Sequence, residues 1–201
     1  MQLFLDIDGV LLNFEQSFVR WLNGHFAMNL PEDYQANSWD FTEVLEAEEL
    51  ERRWRLYLAS PEAARMAPLV EPERFNALSR AHSVHLVTNF PLPHMDKRLA
   101  NLADVGLAYR SLHHCGFLVY DGHTPKTKGQ TVAELLEPGQ AALFVDDHPD
   151  NCLDVARTCP DVEVWVMTRR FNRAFSHPQV RRAADWESLF QRLGAAEGGQ
   201  A

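Results

Sequence analysis

The chain has little of what staples, anchors or charges a protein for nucleic acid. Its three cysteines, Cys115, Cys152 and Cys159, are an odd number with no paired CxxC spacing. That argues against a disulfide framework or a zinc site and points to a reducing cytoplasm. No apolar stretch reaches the roughly 18 residues of a spanning helix, so no membrane partner is expected. Asp6 and Asp8 interrupt the apolar N-terminus, which is unlike a signal peptide. Basic residues are scarce: 19 Lys plus Arg stand against 28 acids, a formal charge of −9. Such a chain is a poor binder of a nucleic acid polymer or an anionic surface. A Gly-rich phosphate loop, a Ser-His-Asp ordering and internal repeats are also missing.

What is present is an ordinary apolar content of 46% over 201 residues, a length that allows one domain, or one domain plus a small insertion. The organising stretch comes first. Residues 2 to 5 form a short, bounded apolar run, as expected of a buried strand in a parallel sheet. Asp6 and Asp8 follow at once, and Gly9 lets the chain turn away. Ligands of open α/β sheets bind outside the carboxyl ends of strands, so this acid pair stands where chemistry is done. Alternation puts both on one side. Their mutual repulsion is relieved by a hard divalent cation such as Mg²⁺. One carboxylate is then free to act as nucleophile while the other carries a proton.

The string LDIDGVLLNF resembles the first motif of the haloacid dehalogenase-like superfamily, in the DxDG form of its phosphatases. The resemblance implies three further pieces in order, and each has a candidate. Val84 to Thr88 reads as a buried strand ending in a hydroxyl, with Asn89 next. Thr88 matches the second motif, and Thr88 and Asn89 are candidate phosphate contacts. Lys128, followed by Gly129 near a helix start, fits the third motif, with Lys126 as its competitor. Ala141 to Val145 is an apolar run delivering Asp146, Asp147 and, further on, Asp150. Asp146 fits a metal ligand, while Asp147 and Asp150 fit supporting roles around it. His148 reads as a loop residue.

The resemblance implies an aspartyl-phosphate mechanism on a small phosphomonoester. In it Asp6 is the nucleophile, Asp8 the acid and base, and Thr88 and Lys128 stabilise the phosphoryl oxygens. Mg²⁺ is held by Asp6, Asp8 through its backbone carbonyl, and Asp146. The implied fold is a Rossmann-like three-layer α/β/α with a mainly parallel sheet and a small helical cap inserted after the first strand. Residues 1–13 and 67–194 would form the core, 14–66 the cap and 195–201 a flexible tail.

The cap reading follows from length as well. Phe14, Phe18, Val19 and Leu22 recur at helical spacing, residues 43 to 58 are rich in helix formers behind Thr42 as N-cap, and Ser60-Pro61-Glu62 opens another short helix. A single crossover helix needs far fewer residues. Trp21, Trp39, Phe41, Trp54 and Tyr57 either stack on a flat ligand or pack the cap. Charge is unevenly spread: residues 32 to 62 hold nine acids and three arginines, residues 169 to 182 five arginines and no acid. That basic segment attracts a phosphate or is merely solvated.

Helices are expected over 72–81 and 95–105, and strands over 116–120 and 162–167. Trp186 opens a closing helix. Together with LDIDGVLLNF and the helical insertion, the loop Arg169-Arg170-Phe171-Asn172-Arg173 before the Trp186 helix is similar to the 5′-deoxyribonucleotidase branch. That similarity implies a nucleoside monophosphate substrate. A sugar or other metabolite phosphate, and a non-catalytic binding module, are the alternatives.

Overall fold

The computed structural model describes residues 1–115 and 125–194. Six strands among them form one sheet: β1 (Gln2–Leu5), β2 (Ser83–Thr88), β3 (Ser111–His114), β4 (Ala142–Asp146), β5 (Glu163–Met167) and β6 (Val180–Ala183). Their order is β3-β2-β1-β4-β5-β6, and every neighbouring pair is parallel. The helices are α1 (Phe14–Phe26), α2 (Ala47–Ala59), α3 (Pro72–Ala81), α4 (Met95–Asp104), α5 (Lys128–Leu135), α6 (Pro149–Thr158) and α7 (Trp186–Leu193), with a 3₁₀ turn over Pro61–Ala64. This is the Rossmann-like α/β fold expected, with the order reversing between β1 and β4. In open sheets that reversal is where a crevice opens.

The pleat sorts side chains into two apolar layers. Leu3, Leu5, Leu143 and Val145 join one cluster with Phe75 and Leu78 of α3 and Leu189 and Phe190 of α7. Phe4 and Phe144 face the other way, into a cluster with Val132 of α5 and Val155 of α6. Burying each such side chain contributes about 1.5–3 kcal/mol. Both faces of β1 and β4 are covered, which is why they read as unbroken apolar runs.

The segment between β1 and α3 packs through aromatic rings. Phe18 lies 5.2 Å from Tyr57 and 5.3 Å from Phe41 between ring centres, and the Tyr57 hydroxyl donates to Ser17 Oγ at 2.9 Å. Its apolar residues are continuous with the α3 and α7 side of the core. The returning arm, residues 58–66, lies along α4 and is gripped by it. Lys97 Nζ donates to the carbonyls of Leu58 at 2.5 Å and Ser60 at 2.7 Å. Arg98 Nη1 donates to that of Ala63 at 2.5 Å. Asn101 accepts from the Met66 N–H at 2.8 Å and donates to the Met66 carbonyl at 3.0 Å.

Several expectations need correction. The second helix begins at Ala47 rather than 43, and Thr42 caps nothing. Residues 42–44 form a turn behind Phe41 at φ +55°, and Glu43 reaches back to accept from the Tyr34 hydroxyl at 2.8 Å and the Asn37 N–H at 2.6 Å. Those bonds compete with helix propagation. Two strands, β3 and β6, were not anticipated. Both are sheet edges, where one side is unpaired and polar sequence such as VRRA is tolerated. The strand expected over 116–120 and the tail over 195–201 lie outside the described residues. No helix among the described residues is long and apolar enough to cross a membrane.

Candidate active site

Register brings the first acids together. Leu5 pairs with Val145 across parallel β1 and β4, and the Asp6 N–H donates to the Val145 carbonyl at 2.9 Å. Asp6 and Asp146 are therefore level on adjacent strands. By parity with Phe4 and Phe144 both start toward the layer that holds α5 and α6.

Lys128 comes to them from the first position of α5. A capping box sets that helix start: Thr127 Oγ1 accepts from the Gln130 N–H at 3.2 Å, and Gln130 Oε1 accepts from the Thr127 N–H at 3.0 Å. Gly129 lets α5 press on α6, since a Cβ there would sit 2.7 Å from Thr158 Oγ1 and 2.9 Å from Asp154 Oδ2. Lys128 is buried, with Nζ 2.8 Å from Asp6 Oδ1 and 2.6 Å from Asp146 Oδ2. Lys126 is exposed and paired with Glu134 at 2.5 Å.

Asp147 joins the group. Asp6, Asp146 and Asp147 each offer a carboxylate oxygen, all within 4.8 Å of one another, and all three residues are buried. Room for Asp147 depends on Gly9. A Cβ on Gly9 would lie 1.9 Å from Asp147 Oδ2, and the residue sits at φ +75°. Gly9→Ala is expected to cost about 2 kcal/mol or more, combining left-handed strain with displacement of Asp147. Chemical denaturation of the variant would measure it.

Burial dominates the electrostatics. Desolvation pushes the Asp6 carboxyl up to about 7, against the pull of Lys128 and with added repulsion from Asp146. Desolvation also lifts Asp147 well above the usual carboxylate range, reinforced by Asp146 and Asp6. Burial works against the Lys128 charge, yet Asp146 and Asp6 hold its ammonium group more firmly protonated than usual. Two of the three buried acids thus pair with one lysine, and the uncompensated negative charge raises Asp6 and Asp147. Hard oxygen donors with uncompensated charge fit a divalent cation such as Mg²⁺. At a Mg²⁺ concentration ten times its Kd the protein is expected to gain about 1.4 kcal/mol, or roughly 3–6 °C in Tm. Protons compete for raised carboxyls, so that gain should shrink as pH falls through about 7, measured by thermal melts at several pH values.

The other expected residues are placed as follows. The Asp8 side chain is not in the three-carboxylate group. It pairs instead with Arg98, whose Nε lies 2.9 Å from Asp8 Oδ1. Thr88 is buried at the end of β2, and its Oγ1 accepts from the Phe90 N–H at 3.1 Å. Asn89 Nδ2 donates to Asn151 Oδ1 at 3.3 Å, while Asn89 Oδ1 is buried with no hydrogen-bond partner among the described residues. Asp150 is exposed in the first turn of α6 and outside the acid group. His148 caps α6, its Nδ1 accepting from the Asp150 N–H at 3.3 Å.

Four contributors escaped the sequence reading. Asn151 Nδ2 lies 3.2 and 3.1 Å from the two Asp146 oxygens. Asn172, buried, donates to the Asp147 carbonyl at 2.7 Å and the Met167 carbonyl at 2.8 Å. Arg169 donates to the Gly9 carbonyl, and to that of Thr168 at 2.7 Å. Arg98 is the fourth. The basic segment is largely consumed in such ties, for Arg181 pairs with Glu163 at 2.8 Å and Arg182 donates to the carbonyls of Asn172 at 2.9 Å and Phe175 at 2.6 Å. The one advance signal for Asn172 was its place in the Arg169–Arg173 loop.

The aromatics of the 14–66 segment separate into two sets. Trp21, Phe41 and Tyr57 are buried, and Trp54 stands edge-on to Phe14 at 5.0 Å. Trp39 is 56% exposed and edge-on to His148 at 5.1 Å, beside the loop that carries Asp146 and Asp147.

No family model matches the sequence, and no curated protein matches it. Solved structures do match the fold. YfnB of Bacillus subtilis, described as a HAD-hydrolase and bound to magnesium, aligns at TM-score 0.58 and 17% identity over 96% of this chain and 98% of its own. The D,D-heptose 1,7-bisphosphate phosphatase of B. bronchiseptica, complexed with magnesium and phosphate, aligns at TM-score 0.55 and 14% identity over 98% and 100%. Protein tyrosine kinase A of Mycobacterium tuberculosis aligns at TM-score 0.64 and 17% identity over 96% and 97%. At these identities the likeness is one of fold, that of HAD-superfamily hydrolases.

Proposed function

We propose that the protein is a Mg²⁺-dependent phosphomonoester hydrolase working through an aspartyl-phosphate on Asp6. The observation that carries the reading is the buried cluster of Asp6, Asp146 and Asp147, the first two paired with Lys128, at the carboxyl edge where the strand order reverses. Fold likeness to magnesium-bound phosphatase structures supports it.

The carboxylates of Asp6, Asp146 and Asp147, with the Asp8 backbone carbonyl, would hold the cation. When bound, Mg²⁺ supplies charge neutralisation and alignment of the phosphoryl group. An Asp6 carboxylate oxygen attacks phosphorus and the bond to the leaving oxygen breaks in line, while Asp8 gives that oxygen a proton. Water then attacks the aspartyl-phosphate as Asp8 takes a proton back, which releases inorganic phosphate and restores Asp6. Lys128 and the Thr88 hydroxyl stabilise the spreading charge, and Asn89 lies ready to orient the phosphate. Asp147 serves as a ligand in this reading, and Asp150 drops to a surface position.

Residues 14–66 act as the cap over a core of 1–13 and 67–194. Trp39 is the cap aromatic left exposed near the acids, which supports a substrate with a planar group such as a nucleoside monophosphate. The acidity of residues 32–62 favours the competing reading, a sugar or metabolite phosphate. A reducing, cytoplasmic setting is supported by three free, buried cysteines. Phosphate release from a panel of nucleotides and sugar phosphates, with Mg²⁺ and with chelator, tests all of this. Magnesium-dependent release is expected. No release from any member would leave a non-catalytic module.

A further inference from the structure

Among the described residues, one guanidinium is taken fully out of water. Arg98 of α4 is fully buried, and desolvating a cation is a poor route to stability, since apolar side chains of similar volume do as well. Its contacts say what it does instead. Nε and Nη2 donate to Asp8 Oδ2 at 3.2 and 3.1 Å, and Nε lies 2.9 Å from Oδ1. The planar group rests on the Phe90 ring at 3.7 Å, two residues beyond Thr88. Nη1, the remaining arm, holds the Ala63 carbonyl at 2.5 Å.

We propose that Arg98 is a positioning residue: it fixes the Asp8 carboxylate for proton transfer to the leaving oxygen and ties that orientation to the returning arm of the cap. This rests on the phosphatase reading above. Two donors converging on Oδ2, with Nε also close to Oδ1, restrict a carboxylate more narrowly than a single point charge does, and the Phe90 ring limits rotation of the guanidinium. The anchor on Ala63 gives the guanidinium a reference outside the core sheet. Asp8 itself follows a strand on a turn, where its carboxylate would otherwise rotate.

The test uses two substrates that differ in need of a proton. p-Nitrophenyl phosphate loses a stable phenolate on transfer of its phosphoryl group, whereas the alkoxide of a simple alkyl phosphate needs protonation as it leaves. Because kcat/KM reports steps up to departure of the leaving group, it isolates the acid role. Arg98→Lys, which keeps the charge and loses the fork, is expected to lower kcat/KM on the alkyl phosphate by about 100-fold, through kcat, and on the aryl phosphate by less than about 10-fold. The double variant Asp8→Asn/Arg98→Met should be no slower than Asp8→Asn alone. Equal losses on both substrates, or losses that multiply in the double variant, would overturn the proposal. Should Arg98→Met fail to fold, Phe90→Leu carries the test, since it removes the ring and leaves every charge. A several-fold loss confined to the alkyl phosphate supports positioning, and a uniform loss or none overturns it. A wild-type protein inactive on both substrates ends the phosphatase reading and this one with it. An active wild type with leaving-group-blind Arg98 variants ends this one alone.

Discussion

Asp6→Asn is expected to reduce kcat on p-nitrophenyl phosphate by about 10⁴-fold or more, because the amide removes the nucleophile itself rather than a supporting contact. The same variant should fold at least as stably as the wild type without metal. Asp6 is pushed up to about 7 by desolvation first and by Asp146 among its neighbours, so the folded state suffers from its charge. Replacing it leaves Lys128 paired with Asp146 at 2.6 Å. Activity lost while Tm holds or rises separates a chemical role from a structural one. The Mg²⁺-induced rise in Tm should weaken in the variant, since one carboxylate of the group is gone. Full turnover by Asp6→Asn would end the proposed mechanism.

Lys128→Met should be the most destabilising single change in the site. It strands the buried carboxylates of Asp6 and Asp146, and removing one partner of a buried ion pair costs about 3–5 kcal/mol. The pH dependence has a definite sign. Asp6 and Asp147 have folded-state pKa values above their unfolded values, so their charge costs stability above the folded pKa and that cost is relieved as pH falls. Lys128 pulls both carboxyls down, so its loss lets them rise further. Urea denaturation should show the largest deficit near pH 8 and a much smaller one near pH 5.5, where both acids can take a proton. A deficit that is flat with pH, or no deficit, would mean that the lysine does not compensate the acids.

Those residues were readable in the sequence for a shared reason. Asp6 and Asp146 each end an unbroken apolar run, and such runs become central strands whose carboxyl ends meet. Lys128 sits behind a capping threonine, so its helix start was marked as well. Arg98 was not readable, because helical patterning points the wrong way. Leu99 beside it is 46% exposed while Arg98 is fully buried, an inversion that only a partner in a distant segment can cause. Asp147 could be paired with Asp146 by adjacency. Its membership of the acid group depends on the absence of a Cβ on Gly9, contributed by the opposite end of the chain. The arginines of 169–182 looked like an anion lure. Three of the five are taken up by carbonyls and Glu163, a use that composition cannot foretell.

The grip of α4 on residues 58–66 has a bearing on how this protein can change over generations. Lys97, Arg98 and Asn101 bind main-chain atoms of Leu58, Ser60, Ala63 and Met66, and every residue type carries a carbonyl. These polar ties are thereby independent of side-chain identity along the arm, although Leu58, Ala63 and Met66 also bury their side chains. Drift at the exposed positions of that stretch leaves the main-chain ties intact, and the loop around exposed Trp39 can diversify without loosening its base.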